Sequence, residues 1–358
     1  MIFTYDALRK IIVDILLKIG CSSEHANISA DVLMAAELRN INSHGVIRLK
    51  DYINLYEKGR LNPLPNIKIT HQTPSTAVID ADAALGMVAG DFAMKIAIQK
   101  AKEVGTGWVA VNNSNHFGIA GHYAMRALKH DMIGITMTNA NPLVAPTFSL
   151  DRLLGTNPIA VAIPAGKYPP FVADFATTPI ARGKLDVMHK KGLEAPLGYV
   201  QDKTGMPSTN PNILTEGGAI LPLGGDYEHG SHKGYCLGSV VDIFSALLSG
   251  AGFGPFVPPS VAYLPIKETG NGKGTGHFFG AMRIDAFQTT EDFKLKMDTW
   301  IETFKNAHSI DDEHKVLIPG EPEKEWEAIH MLQGITVMDK VVEELKQVAA
   351  SLGVEIDF

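Results

Sequence analysis

Two short stretches set a proton-moving side chain beside groups that hold anions. In Asn42-Ser43-His44-Gly45-Val46-Ile47-Arg48-Leu49, an imidazole precedes a guanidinium by four residues, so an early helix start puts both on one face. A guanidinium grips a carboxylate at two points, and an imidazole exchanges a proton near neutral pH, a pairing suited to a 2-hydroxy or 2-keto acid. On spacing alone, the same residues equally fit a surface arginine, an Asn42 or Ser43 cap for a helix beginning near Val46, and a packed histidine. The second stretch, Asn112-Asn113-Ser114-Asn115-His116-Phe117-Gly118, lies where the β-rich run 107–111 gives way to a helical pattern. Strand C-termini of α/β sheets collect reactive side chains, which makes His116 a candidate general acid/base. Plain turn and cap chemistry around a half-exposed histidine is the alternative.

Three further groups offer hydroxyls, backbone donors or a cation at element ends: Gly155-Thr-Asn-Pro158, Asp174-Phe-Ala-Thr-Thr178 and Ser231-His-Lys-Gly-Tyr235. Such ends can hold phosphate or ribose oxygens without a glycine-rich loop. Lys233 at a helix start opposes the helix dipole unless an anion lies between them. No strand-turn-helix Gly-x-Gly-x-x-Gly and no Walker A motif occurs, and the stretch 270–276 reads as a mobile hairpin or turn. His229 with His232, and Asp311, Asp312 and His314, read as solvated loops, so no metal site is expected. A metal-dependent hydrolase or lyase built on them is the competing class.

These residues need elements to position them. Apolar residues at three- and four-residue spacing predict two N-terminal helices, capped by Thr4 to Asp6 and by Ser22 or Ser23, and a third over 46–58. Prolines 63 and 65 mark a boundary. Beyond it, runs at 76–80, 107–111, 133–138, 159–163 and 171–174 alternate with helical patterns at 90–103 and 119–130, which predicts an α/β fold with a central mixed sheet. Residues 186–235 are rich in turns, 236–253 reads as a buried helix, a last strand falls near 282–284, and 290–307 and 320–352 return to helical spacing. The expected organisation is a discontinuous helical domain (1–65 and 290–358) around an α/β domain (66–289).

The 358 residues are 45% hydrophobic and 20% charged with a net charge of −7 and no basic run, which argues against disorder and nucleic-acid binding. Two cysteines and no leader-like N-terminus point to a reducing, cytoplasmic setting, and no segment reads as a membrane span.

Taken in order, Ser43-His-Gly-Val-x-Arg-Leu49, Asn115-His-Phe-Gly118, Gly155-Thr-Asn-Pro158, Asp174-Phe-Ala-Thr-Thr178 and Lys233-Gly-Tyr235 resemble the second-type malate/L-lactate dehydrogenase family. That family includes sulfolactate, ureidoglycolate and 2,3-diketogulonate dehydrogenases. The resemblance implies NAD(P)-dependent hydride exchange with a small 2-hydroxy or 2-keto acid, malate/oxaloacetate foremost, on a non-Rossmann nucleotide-binding domain within an intertwined homodimer. It implies His116 as acid/base, with His44 holding that role in some members. Arg48 would be the carboxylate anchor, with Ser43 completing the pocket. Around NAD, or alternatively NADP, it implies Asn139, Ala140, Asp174, Phe175, Ala176, Lys233, Pro319 and Gly320. This chain carries Asn141-Pro142 where some relatives carry Asp-Pro, which keeps hydrogen bonding and removes a charge. A cyclic imino acid or keto-sugar acid reductase on the same scaffold is the alternative within the family.

Overall fold

The computed structural model describes residues 1–266 and 270–355, so 356–358, the end of the expected helical segment, lie outside it. Strand β1 (Ile2–Phe3) leads into α1 (Tyr5–Lys18) and α2 (Ser23–Leu38), whose first turns are capped where the hydroxyls of Thr4 and Ser22 accept from the N–H groups of Ala7 and His25. Two 3-10 turns, Asn42–His44 and Val46–Arg48, then open α3 (Leu49–Glu57).

The sheet follows with β2 (Lys68–Gln72), β3 (Thr76–Asp80), α4 (Gly86–Val104), β4 (Thr106–Ser114), α5 (Ala120–Arg126), β5 (Met132–Thr138), β6 (Ile159–Ile163) and β7 (Phe171–Phe175). An excursion contains α6 (Arg182–Lys190) and a small sheet of β8 (Val200–Gln201), β9 (Pro207–Ser208) and β10 (Ala219–Ile220). The chain returns through α7 (Ser231–Asp242), β11 (Thr275–Arg283), α8 (Thr290–Lys305), α9 (Glu321–Gln333), β12 (Ile335–Thr336) and α10 (Asp339–Leu352).

Seven strands form the central sheet in the order β2-β3-β4-β11-β5-β6-β7. β3 and β4 run parallel and the other neighbours antiparallel, so the sheet is mixed. The two chain ends meet: β1 pairs with β12, α1 and α3 pack on α10, and α2 on α9. Their apolar faces (Leu8, Ile12, Leu33, Val341, Leu345) share one core with Val109 and Phe279 of the sheet. Among the described residues, no helix is long and apolar enough to cross a membrane.

Three local expectations change. The strand expected near 282–284 as the last is β11, which begins at Thr275, is followed in the chain by the short β12, and lies at the centre of the sheet between β4 and β5. Its residues from Thr275 to Ala281 are buried on both faces, so no polar alternation marks it. Gly276, at the end of the stretch expected to form a turn, lies in this strand, and it is glycine because a Cβ there would fall 2.2 Å from the Ser245 carbonyl oxygen. β2 has no counterpart among the expected strands: all five of its residues are exposed on an edge, so no buried alternation marks it. The segment 236–253 is not a buried helix: α7 gives way at Asp242 to a π-turn (Ile243–Leu247), and Leu237, Val240, Ile243, Phe244, Leu247 and Leu248 are exposed.

Candidate active site

The turn carrying His44 and Arg48 is anchored from beneath. Glu37, buried in the last turn of α2, accepts from the Val46 N–H at 2.7 Å, so the donor expected to be capped by Asn42 or Ser43 is satisfied by a carboxyl from another helix. Burial pushes the Glu37 carboxyl up to about 7, against the Val46 hydrogen bond, which lowers it. Gly45 is required here, since a Cβ would fall 2.0 Å from Glu37 Oε1. On this support, Ser43 Oγ lies 2.9 Å from His44 Nδ1, Arg48 Nε donates to the Ser43 carbonyl at 2.7 Å, and Arg48 Nη1 reaches Asp51 at 3.2 Å. Nη2 of Arg48 has no partner among the described residues.

His116 arrives from the other side, on the turn after β4. Asn115 ties that turn down by donating to the carbonyls of Ala83 at 3.0 Å and Ala84 at 2.9 Å. Phe117 is buried and stacks on His277 with ring centroids 4.6 Å apart. His277 itself joins two strand ends, with Nδ1 2.7 Å from Thr138 Oγ1 and Nε2 2.8 Å from Ser114 Oγ.

These constraints bring the two stretches together. The rings of His116 and His44 stack at 5.4 Å, and His116 Nδ1 lies 2.8 Å from the Tyr52 hydroxyl. Burial, then the neighbouring His44, Arg48 and His277, hold His116 well below the usual imidazole range; burial and Arg48 lower His44 to about 4. Both side chains keep partial solvent contact, so they line a crevice enclosed by protein but not sealed. Tyr52 is fully buried, and burial raises its hydroxyl, which stays a neutral phenol able to donate or accept.

The residues implied for a nucleotide divide into two sets. Asp174, Phe175, Pro319 and Gly320 line one cavity of about 480 Å³ with Arg39 and Glu323. The Val172 N–H bonds the Pro319 carbonyl at 2.9 Å, which closes its wall. Asp174 Oδ2 accepts from the Gly121 N–H at 2.8 Å. Protein surrounds this carboxyl while its surface stays open to the cavity; burial raises it to about 6, opposed by the Gly121 bond and by Arg39.

The other set lies elsewhere. Asn139 is buried and braces the core, donating to Asp242 at 3.0 Å and to the Gly252 carbonyl at 2.8 Å. Ala140 donates its N–H to Asn157 Oδ1 at 3.0 Å. Ala176 is half-buried beyond the end of β7, and Lys233 is exposed on the first turn of α7; neither lines the cavity. His229 and His314 each pair with one aspartate, Asp226 and Asp311, and the described residues hold no cluster of three metal-ligating side chains.

Sequence reasoning missed Tyr52, although it follows Arg48 by four residues on a predicted helix. It also missed Arg39 and Glu323, for which no local pattern signals a cavity.

The architecture and these motifs have counterparts. The family model described as malate/L-lactate dehydrogenase matches residues 3–346. Malate dehydrogenase of Pyrococcus horikoshii is 43% identical over 98% of this chain and 95% of its own length. The solved structure of malate dehydrogenase from P. horikoshii superposes with a TM-score of 0.90 at 40% identity, covering 100% of this chain and 97% of that one. L-sulfolactate dehydrogenase of Methanocaldococcus jannaschii is 40% identical over 100% of this chain and 99% of its own. Ureidoglycolate dehydrogenase (NAD(+)) of Escherichia coli is 28% identical over 95% and 93%. With two imidazoles and a guanidinium converging in one crevice and this match running almost end to end, the chain belongs to the malate/L-lactate dehydrogenase family.

Proposed function

We propose that this protein is a nicotinamide-dependent 2-hydroxy-acid dehydrogenase, with malate/oxaloacetate as its substrate pair. The observation that carries the reading is the meeting of His116, His44 and Arg48 in one crevice. The named activities of the P. horikoshii and M. jannaschii relatives support the substrate class.

The cavity around Asp174 fits a nucleotide. Its volume suits a small-molecule site, and apolar walls from Ile41, Val172 and Ile318 flank carboxylates that can accept from ribose hydroxyls. A bound nicotinamide supplies the hydride acceptor or donor. Arg48, steadied through Nε by Ser43 and through Nη1 by Asp51, turns its free Nη2 edge to the substrate carboxylate and sets which face of C2 reacts.

His116 handles the proton on O2. Nδ1 faces two groups, the Tyr52 hydroxyl at 2.8 Å and, more distantly, the Gly118 N–H at 3.4 Å, from which it accepts in the other tautomer. With Nδ1–H donating to Tyr52, the other ring nitrogen carries a lone pair, and its lowered pKa keeps it free to accept the hydroxyl proton. In the reverse direction the protonated ring returns that proton, and the substrate anion next to it favours the charged form. His44 stacks on the ring and is kept neutral by burial and by the neighbouring Arg48. Rates with oxaloacetate, pyruvate and sulfopyruvate against NADH and NADPH test the reading: oxaloacetate with NADH should be turned over fastest, and absence of turnover across the panel would refute it.

Two copies are proposed to associate as a homodimer. The apolar side chains Leu237, Val240, Ile243, Phe244, Leu247 and Leu248 crowd the exposed side of α7 and its π-turn, an apolar surface of the kind that marks an interaction face. Both cysteines are free, which fits a cytoplasmic setting.

A further inference from the structure

Five ionisable side chains stand around the Asp174 cavity and a smaller neighbouring one of about 230 Å³, which shares Arg39, Val172 and Gly320 with it. Most are already engaged. Arg39 and Lys324 both approach Glu327, at 3.6 and 3.3 Å, and Asp174 accepts from Gly121. Glu321, the neighbour at the start of α9, pairs with Lys305 and accepts from the Ile318 N–H. Glu323 differs: it lines the larger cavity with its side chain half-buried, and no described residue forms a hydrogen bond or ion pair with it.

The local backbone explains its aim. The Pro319-Gly320 turn is stapled to β7 through Val172, and α9 starts directly after it, so Glu323 sits in the first helical turn at the cavity wall. A carboxylate there is favoured by the helix dipole without any ligand. The dipole alone, however, leaves unexplained why this carboxylate shares a cavity with Asp174, whose carboxyl it pushes upward by repulsion.

We propose that Glu323 is the residue that selects the cofactor: its carboxylate accepts from the ribose hydroxyls of the adenosine half and repels a 2′-phosphate, so the cavity takes NAD and rejects NADP. The inference rests on the dehydrogenase reading and adds a specificity residue to it. A free carboxylate rewards a hydroxyl donor, whereas a phosphate ester would bring two negative charges against Glu323 and Asp174. The cation lining this cavity, Arg39, is already shared with Glu327 and offers little compensation.

Calorimetric titration with ADP-ribose and with 2′-phospho-ADP-ribose tests this without turnover. The parent protein should bind ADP-ribose at least about tenfold more tightly. Glu323→Gln keeps the shape and the helix start, and should shrink that ratio about tenfold, mainly by tightening the phosphorylated ligand; Glu323→Lys should invert it. Circular dichroism and Tm confirm that each variant folds. A ratio unchanged in Glu323→Gln, or a parent that binds the phosphorylated ligand as well as ADP-ribose, overturns the assignment and leaves the dehydrogenase reading standing if 2-keto acids are still reduced. A parent that binds neither ligand and reduces no 2-keto acid overturns both.

Discussion

In the proposed mechanism His116 and Arg48 divide the chemistry between a proton and a carboxylate, and their substitutions should fail differently. His116→Ala should lower kcat by about 10²–10⁴ while dinucleotide affinity, measured by fluorescence titration, is retained. Near-parental turnover would take His116 out of the mechanism. Arg48→Lys should damage kcat/KM for the keto acid far more than cofactor binding, because an ammonium cannot supply two parallel donors. The pH profile adds a check on His116. Oxidation of the hydroxy acid needs a neutral ring, and burial holds its pKa below the usual 6.5, so kcat/KM should stay level as pH falls through 6.5 and drop only at lower pH. An acid limb centred at or above 6.5 would contradict this environment. Both residue types were legible in the sequence because their chemistry is intrinsic; the partner that orients His116, Tyr52, became visible only when α3 was laid against the turn after β4.

At the scale of elements, the link between α2 and the His44 turn is the point of greatest sensitivity. Gly45→Ala would drive a methyl into Glu37, and overpacking of this kind costs about 1–3 kcal/mol, to be read as a fall in Tm together with lost activity. Glu37 also predicts a pH effect of definite sign. Its carboxyl, pushed up to about 7 from 4.5, keeps a proton that the unfolded chain releases, so its contribution is full below pH 4.5 and is lost as pH rises through 7. Glu37→Gln lacks that loss and can still accept from Val46, so its Tm relative to the parent should climb between pH 5 and pH 8. A difference independent of pH would mean that Glu37 is ionised in the folded protein. Helices with regular apolar spacing were legible to within a few residues, as α1 and α4 show. β11 was not, because a strand buried on both faces and thinned by glycines for close contacts carries no alternation.

Across the whole molecule, the terminal helices close onto the sheet domain, and α7 leaves an apolar face uncovered. Leu247, 57% exposed, is a suitable probe. Leu247→Glu should shift the sedimenting species from dimer to monomer, whereas a parent that sediments as a monomer would remove the proposed association. Residue types and their order were enough to determine the α/β class and the helices of both chain ends, which follow from local periodicity, the family, which follows from five motifs in order, and the candidacy of an imidazole and a guanidinium for the proposed chemistry, which follows from what those side chains can do. Only the tertiary structure decided that His44 stacks on His116, that Asp174 and Gly320, nearly 150 residues apart, share a cavity while Asn139 braces the core, and that Glu323 is left without a partner among the described residues. Those outcomes depend on which distant segments meet and which charges find counter-ions there, and spacing along the chain encodes neither.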